Sequence, residues 1–302
     1  MSQLPHAIGE YMLERRVGVG WHAEVFAARD ATGRPWAIKR FHPGLARAYG
    51  RELLVELHAE LERMPRPCAP EWLDIDQIGW APETSVDGTR IEESVLYASM
   101  SLASGGDLSE AQSPYPWPAP AVAQLLWSAL RALAALQEGR PGAVFGQLHE
   151  RHVMIDAQGG ISLSPLCATS FLHRPGNRYC RGPLAVYRGD YEHWSPEQVG
   201  GGDVDARSDL FSAGLLAYKL LTGRHPFERS NQLATLHALL RGDEIAVPAI
   251  AEDAVPGLQT TLRAILARTP SERPDGARAA LALGLQPSDE GRLQLAACAR
   301  PS

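Results

Sequence analysis

The sequence predicts an α+β fold in which a small, β-rich part with one helix precedes a larger, mainly α-helical part. Residues 11–41 alternate short apolar stretches with turn residues, which is typical of consecutive strands. Beyond residue 120, the longest apolar segments have helical length and spacing. With 302 residues, the chain is long enough to bury a substantial core, in one large domain or in two lobes.

The N-terminal part is predicted to begin with three strands and a helix. Asp30-Ala31-Thr32-Gly33 has the composition of a turn, and it separates the second strand from the third, Pro35–Phe41. A single helix is predicted from about residue 46 to residue 64, because leucines recur there near helical spacing and prolines follow. Two further strands are predicted over residues 73–80 and 94–100.

The C-terminal part is predicted to begin at a hinge, Ser104-Gly105-Gly106-Asp107-Leu108. Two short strands are expected to flank Gly159-Gly160, and helices are expected over residues 121–138, 208–221, 232–241 and 258–268. Residues 1–302 are thus expected to form one domain. Its predicted parts are an N-lobe at about 8–103, a C-lobe at about 104–285 and a C-terminal tail at 286–302.

The net charge and the composition argue against several classes of function. A formal net charge of −6 argues against a nucleic acid or an anionic membrane as the main partner, because both require a cationic surface. There is no run of eighteen apolar residues, so no membrane span is expected, and the N-terminus lacks the basic and apolar regions of a signal peptide. The four cysteines are widely spaced, as is typical of free thiols, so a cytoplasmic location is expected.

Five short motifs follow one another along most of the chain. Glycines in a loop let the backbone lie close to phosphate groups. The motifs are Gly18-Val19-Gly20-Trp21-His22-Ala23-Glu24-Val25, Ala37-Ile38-Lys39, Ser195-Pro196-Glu197, Asp209-Leu210-Phe211-Ser212-Ala213-Gly214 followed by Leu221–Phe227, and Ser271-Glu272-Arg273-Pro274. In their order, they resemble the motifs of protein kinases, and of bacterial Ser/Thr kinases in particular, over residues 11–285.

The resemblance implies a bilobal, kinase-like fold with a vestigial nucleotide pocket. Lys39 would hold nucleotide phosphates and pair with a carboxylate on the predicted helix. Glu56 is the first candidate for that carboxylate and Glu52 is the second. The pocket residues implied by the resemblance are Gly18, Gly20, Val25, Ala37, Lys39, Glu56, Met100 and Met154.

The resemblance also implies a retained structural frame. Glu197 and Arg273 would form a buried salt bridge within the C-lobe, where the loss of either partner is costly. Asp209 would brace the backbone of residues 145–147. The sequence therefore keeps the residues that shape such a fold.

Three positions depart from the family pattern, and all three concern catalysis. Gln147 stands where the family has its catalytic Asp, His152 where it has a metal-binding Asn, and Pro165 where it has the metal-binding Asp of D-F-G. An amide does not accept a hydroxyl proton as a carboxylate does, and proline has no carboxylate with which to bind magnesium. No catalytic residue and no metal are therefore expected at these positions.

On these grounds, the chain is expected to be a catalytically inactive pseudokinase, and not an enzyme. It would act as a regulatory or scaffolding module by binding a protein partner, whose identity the sequence does not give. No cofactor is expected, although weak, metal-independent ATP binding stays open. Two alternatives also stay open because Lys39 and the pocket residues are present: a nucleotide-binding sensor, and an atypical ATP-using transferase with rewired catalytic residues.

Overall fold

The computed structural model of the chain describes residues 6–20, 22–66, 69–85, 89–111, 114–146, 148–164, 193–250 and 254–299. The chain packs into two compact units. The first unit comprises Met1–Met64 and Leu73–Ala103, and the second comprises Pro65–Trp72 and Ser104–Ser302. Both strands and helices are present, so the predicted α+β class is confirmed.

The first unit is built on a closed barrel of antiparallel strands in the order β1-β2-β3-β4-β6-β5. Strand β1 pairs with both β2 and β5, so this two-residue strand, which had not been predicted, closes the barrel. Closure leaves no free edge along these strands. The strands are β1 Ala7–Ile8, β2 Tyr11–Val19, β3 Ala23–Arg29, β4 Pro35–Phe41, β5 Ile75–Thr84 and β6 Arg90–Ser101.

The turn between β3 and β4 is fixed by the side chain of Asp30. Its Oδ1 accepts hydrogen bonds from the backbone amides of Thr32 at 2.8 Å and Arg34 at 3.0 Å. Its Oδ2 accepts a hydrogen bond from the Trp36 indole at 2.9 Å. Hydrogen bonds from the Thr32 hydroxyl and the Trp36 indole lower the pKa of Asp30 to about 2. The predicted turn is therefore confirmed, together with its chemical cause.

The single helix predicted between residues 46 and 64 is two helices, α1 Gly44–Tyr49 and α2 Arg51–Arg63. The break lies at Gly50, whose φ of 88° is unfavourable for any residue with a Cβ atom. The spacing of the leucines did not reveal this break, because the four leucines with helical spacing all lie in α2, on its buried face. They are Leu53, Leu54, Leu57 and Leu61.

The core of the barrel is centred on Tyr11. Its ring meets that of Trp36 edge-on, with 6.1 Å between the centroids, and that of Tyr97 at 6.0 Å. Its hydroxyl donates a hydrogen bond to Ser99 Oγ at 3.1 Å. Burial raises the pKa of Tyr11 to about 12, so the phenol stays a neutral donor at physiological pH.

The second unit is mainly helical and contains one small hairpin. Its strands β7 and β8 pair antiparallel. Short 3-10 turns at Leu108–Glu110, Glu150–His152 and Pro270–Glu272 lie between the longer elements. The elements are α3 Ala119–Gly139, β7 Val153–Ile155, β8 Ile161–Leu163, α4 Pro196–Gly200, α5 Ala206–Thr222, α6 Gln232–Arg241, α7 Leu258–Ile265, α8 Ala277–Leu281 and α9 Asp289–Ala299.

Helix α3 is the centre of the core of the second unit. Helices α5, α8 and α9 all pack against it. Its length and composition alone would also fit a membrane-spanning helix, but 72% of its most apolar window is buried inside the structure. The indole of Trp72 donates a hydrogen bond to the α3 carbonyl of Ala132 at 2.9 Å, and this joins the segment Pro65–Trp72 to the same core.

The residues predicted as a C-terminal tail contain helix α9, which is packed against two other elements. A Cβ atom on Gly291 would lie 2.4 Å from the backbone oxygen of Pro120 at the start of α3. A Cβ atom on Gly159, in the β7–β8 turn, would lie 2.2 Å from the backbone oxygen of Arg292. Backbone contacts this close require glycine, so α9 is an integral part of the second unit.

We expect Gly291→Ala to destabilise the protein by about 1–3 kcal/mol, because the added methyl group would overlap a backbone oxygen that cannot move aside. A loss of stability would be diagnostic, since replacing glycine by alanine within a helix otherwise stabilises a protein by roughly 0.5–1 kcal/mol. Urea denaturation of the two proteins measures the difference.

Gly44→Ala is the matched control, because it also lies in a helix and a Cβ atom there would meet nothing within 4 Å. Gly44→Ala should leave the urea midpoint unchanged or raise it. A Gly291→Ala midpoint at or above that of the wild-type protein would show that α9 is not packed as described.

Candidate functional site

The loop before the β7–β8 hairpin is held by a buried carboxylate from helix α5. We call residues 143–149 the central loop; its residue 147 lies outside the described residues. The carboxylate of Asp209, which is 1% exposed, accepts hydrogen bonds from the backbone amides of Phe145 and Gly146, both at 2.7 Å. Burial raises the pKa of Asp209 to about 7, although the two amides oppose this shift. The predicted brace is therefore confirmed for these two residues.

A second contact ties the central loop to the start of helix α4. Ser195 and Gln198 form a capping box, in which Gln198 Oε1 accepts a hydrogen bond from the Ser195 amide at 2.8 Å. The other end of the same amide group, Gln198 Nε2, donates to the carbonyl of Gly146 at 2.6 Å. One side chain therefore fixes both the beginning of α4 and the path of the central loop.

The predicted pair of Glu197 and Arg273 is confirmed as a bidentate salt bridge. The guanidinium nitrogens donate to the two carboxylate oxygens at 2.7 and 3.0 Å. The remaining donors of Arg273 reach the carbonyls of Ala267, Arg268 and Arg207 at 2.7, 2.9 and 3.1 Å, so all five N–H groups are used. Burial opposes the ionisation of Glu197, but the hydrogen bonds from Arg273 outweigh it and lower its pKa.

The carboxylate of Glu150, beside the central loop, pairs with a lysine and a histidine. Glu150 is 8% exposed and lies in the 3-10 turn that follows the loop. Its Oε1 accepts a hydrogen bond from Lys219 Nζ at 2.7 Å, and its Oε2 lies 3.0 Å from His193 Nε2. Burial opposes the ionisation of Glu150, but His193 and Lys219 outweigh it and hold its pKa well below the usual range.

The imidazole rings of three histidines lie close together at this site. The centroids of His149 and His152 are 4.1 Å apart, and those of His149 and His193 are 5.6 Å apart. His149 Nδ1 accepts a hydrogen bond from the backbone amide of Arg151 at 3.2 Å. The site therefore contains imidazoles with different hydrogen-bonding roles next to a fixed carboxylate.

Sequence reasoning missed the pairing of Glu150, Lys219 and His193. They lie far apart in the chain, so no local pattern reveals their contact. One signal was available, because Lys219 is one of only two lysines in the sequence and lies in the mostly apolar C-terminal half of its helix. A charge at such a position requires a partner, and Glu150 supplies it.

In the first unit, the barrel brings most of the predicted pocket residues into one ladder. Gly18 and Lys39 both pair with Val25, and Ala37 pairs with Met100. Lys39 is partly buried, with its ammonium 5.9 Å from the centroid of the Phe41 ring. Five of the predicted pocket residues therefore lie at neighbouring positions of the paired strands, and their role in nucleotide binding stays a prediction.

The other predicted residues of the first unit lie outside this ladder. Gly20 follows β2, and its amide donates a hydrogen bond to the carbonyl of Ala23 at 2.8 Å. Glu52 and Glu56 are both exposed on α2. Which of the two pairs with Lys39 stays open.

The second unit contains the other four predicted site positions, of which the structure describes two. Met154 lies in β7 and forms an isolated bridge with Asp107. His152 lies in the 3-10 turn, with its ring edge-on to that of Phe145 at 5.4 Å. Gln147 and Pro165 lie outside the described residues.

The described residues do not fit a magnesium ion. Among residues 6–164 and 193–299, with their short gaps, no three His, Cys, Asp or Glu side chains are grouped so that they could hold a metal. Magnesium prefers oxygen ligands, and His152 offers an imidazole that packs against two other rings. We therefore assign no chemical step to a metal.

Residues 11–282 match the family model of the protein kinase domain. Among curated proteins, tyrosine-protein kinase MasK of Myxococcus xanthus is 28% identical over 283 residues, which cover 88% of this chain and 40% of MasK. Serine/threonine-protein kinase PknL of Mycobacterium tuberculosis is 31% identical over 175 residues, which cover 58% of this chain and 42% of PknL. Serine/threonine-protein kinase PksC of Streptomyces coelicolor is 26% identical over 268 residues, which cover 88% of this chain and 46% of PksC. The chain thus spans less than half the length of each of these relatives.

These matches correct the functional expectation. The prediction of a catalytically inactive regulatory or scaffolding protein, and not an enzyme, is wrong, because the relatives are named as kinases. That expectation had rested on three departures from the family pattern, at Gln147, His152 and Pro165, of which only the first concerns the general base. A general base typically contributes about 10²–10⁴-fold, whereas enzymes accelerate reactions by about 10⁶-fold or more. Loss of one carboxylate therefore does not by itself exclude catalysis.

Proposed function

Because the chain belongs to the protein kinase domain family, we propose that it is a protein kinase, which transfers the γ-phosphoryl group of ATP to a hydroxyl group of a protein. The observation that carries this proposal is the match over residues 11–282, which includes most of both units. The barrel unit would be the smaller, β-rich lobe and the helical unit the larger lobe. The acceptor would be a protein partner, and the reaction would take place in the cytoplasm.

In this proposal, the first unit holds the nucleotide. Lys39 would bind its phosphates, and the backbone at Gly18 and Gly20 would lie close to them. The ladder supports this assignment, because it brings Gly18, Val25 and Lys39 into adjacent positions. Glu56 or Glu52 would orient the lysine.

The second unit would supply a rigid surface for the acceptor. Asp209 and Gln198 hold the central loop by three hydrogen bonds of 2.6–2.7 Å. Rigid positioning of reacting groups is a large part of catalysis, and phosphoryl transfer depends mainly on positioning and electrostatic stabilisation. These hydrogen bonds support an active enzyme, because they fix the path of the central loop although Gln147 replaces a carboxylate.

The test is transfer of label from γ-labelled ATP to the protein itself and to protein acceptors, with and without Mg²⁺. We expect Lys39→Met to lower the rate by about 10²-fold or more, because it removes a charge that stabilises the phosphates. Labelled amino acids identified after hydrolysis would show whether the acceptor hydroxyl belongs to Ser, Thr or Tyr.

Arg29→Met is the matched control, because it also removes a cation from the barrel unit but lies in an exposed pair with Glu14. Its transfer rate should equal that of the wild-type protein. If wild-type protein transfers no more label than heat-denatured protein, the proposed function is wrong.

A further inference from the structure

The carboxylate of Glu150 connects three segments of the second unit. Glu150 belongs to the 3-10 turn that directly follows the central loop. Its Oε1 accepts a hydrogen bond from Lys219 Nζ on α5 at 2.7 Å, and its Oε2 lies 3.0 Å from Nε2 of His193, which lies shortly before α4. We call these three residues the Glu150 junction. The junction therefore fixes the end of the central loop relative to α5 and to the chain that leads into α4.

The junction complements the hydrogen bonds at the other end of the central loop. There, Asp209 and Gln198 bind the backbone of Phe145 and Gly146. Glu150 lies immediately after the last residue of the loop, so its contacts restrain the opposite end. The central loop is thus restrained by polar contacts at both ends, and loss of the junction would weaken one of these restraints.

The two partners of Glu150 differ in how their charge depends on pH. Lysine stays protonated at neutral and mildly alkaline pH, whereas histidine gains and loses its charge between about pH 5 and 8. Glu150 and His193 are both almost fully buried, and a buried carboxylate is costly without a positive partner. In alkaline solution, His193 can still donate a hydrogen bond, but of the two partners only Lys219 then brings Glu150 a positive charge.

Other ionisable side chains lie around the junction. The ring of His149 is 5.6 Å from that of His193 and 4.1 Å from that of His152. Tyr115 interacts electrostatically with Lys219, and burial raises the pKa of Tyr115, so its phenol is neutral over the same pH range. Imidazoles are neutral in alkaline solution as well. None of these neighbours can therefore replace the charge of Lys219 there.

We propose that Lys219 holds the central loop in position for phosphoryl transfer, by giving Glu150 a countercharge that persists when His193 is neutral. This rests on the proposed kinase activity. Lys219 is a positioning residue, because it acts on the loop through Glu150. Without the lysine, the end of the loop is held by an ion pair only while His193 carries a proton.

The rate of label transfer from γ-labelled ATP at two pH values tests the proposal. At about pH 8.5, Lys219→Met should lower kcat by about tenfold or more, because Glu150 then lacks a charged partner. At about pH 6, its kcat should lie within about threefold of the wild-type value, because protonated His193 pairs with the carboxylate. KM for ATP should change little, since the residues proposed to hold the nucleotide lie in the first unit.

Two variants control for the shape of the side chain and for a general loss of charge. Lys219→Arg keeps a permanent charge and should follow the wild-type protein at both pH values. Arg278→Met also removes a cation from the second unit, but its salt bridge to Glu138 is exposed, so its kcat should match the wild-type value throughout. A loss in Lys219→Met that is equal at the two pH values, or no loss at either, would overturn the proposal.

A double variant identifies the group that responds to pH. His193→Gln keeps a side chain that can donate a hydrogen bond, as the neutral imidazole does, but it never carries a charge. Lys219→Met combined with His193→Gln should therefore show the large loss of kcat at about pH 6 as well as at about pH 8.5. Recovery of the double variant at the lower pH would overturn the role of His193 as the second partner of Glu150.

Hydrogen exchange measured by mass spectrometry gives a readout without turnover. Peptides that span residues 143–152 should exchange faster in Lys219→Met than in the wild-type protein at about pH 8.5, and at the same rate at about pH 6. Peptides from α3 should exchange as in the wild-type protein at both pH values. Faster exchange in α3 as well would show a general loss of stability and would overturn the positioning role.

The two kinds of measurement distinguish this inference from the proposed function. Inactive wild-type protein would overturn the kinase assignment and the positioning role with it. Active wild-type protein, with a ratio of Lys219→Met to wild-type kcat that does not depend on pH, would overturn the positioning role alone.

Discussion

Arg273→Met is expected to lower the free energy of unfolding by about 3–5 kcal/mol, the usual cost of removing one partner of a buried ion pair. The side chain of Arg273 is 0% exposed, and its removal leaves the Glu197 carboxylate without its bidentate partner. It also leaves the backbone carbonyls of Ala267 and Arg268 without their donors. Urea denaturation followed by tryptophan fluorescence measures the loss.

Arg278→Met is the control, because it breaks a salt bridge to Glu138 whose arginine is 82% exposed. Exposed pairs contribute little, so its urea midpoint should stay close to that of the wild-type protein. Arg273→Lys should fall between the two, since lysine keeps the charge but cannot match the planar fork of arginine. Equal midpoints for Arg273→Met and Arg278→Met would show that the buried pair does not stabilise the fold.

Asp209→Ala is expected to combine a loss of stability with a loss of transfer activity. It leaves the buried amides of Phe145 and Gly146 without an acceptor, at a cost of about 1–3 kcal/mol for each. The central loop would then lose the brace that fixes its path. Urea denaturation and the rate of label transfer from γ-labelled ATP measure the two effects.

The pH dependence of stability gives a separate check on Asp209. Its pKa is raised from 3.8 to about 7 in the folded protein, so the folded state keeps a proton that the unfolded chain releases near its ordinary pKa. The contribution of Asp209 to stability is therefore fully present below about pH 4 and falls as the pH rises to about 7. Asp209→Ala should show a flatter profile over this range, and a profile parallel to that of the wild-type protein would contradict the raised pKa.

Local patterns predicted the elements of the first unit well, because each depends on neighbouring residues. Asp30 makes its turn through contacts within six positions, and the strands beside it follow from apolar alternation. The break at Gly50 and the closing strand β1 escaped prediction. The first depends on the backbone angle of one glycine, and the second on pairing between residues far apart in sequence.

The candidate site was predicted only where a motif marks it. Glu197, Arg273 and Asp209 lie in motifs, and the structure confirms their contacts. The pairing of Glu150 with Lys219 and His193 joins three separate segments, and no spacing in the sequence reveals it. The functional error had a different origin, because the substitutions at Gln147, His152 and Pro165 were together taken as the absence of catalysis.

Helix α9 also determines how much of the chain must be produced for experiments. The family match ends at residue 282, whereas the backbone contacts at Gly291 and Gly159 show that folded structure continues to the end of α9. A recombinant fragment trimmed to the matched segment would uncover one side of α3 and leave apolar residues such as Leu295 without their cover. Expression boundaries should therefore lie beyond residue 299, since a shorter product would be prone to aggregation for reasons unrelated to its activity.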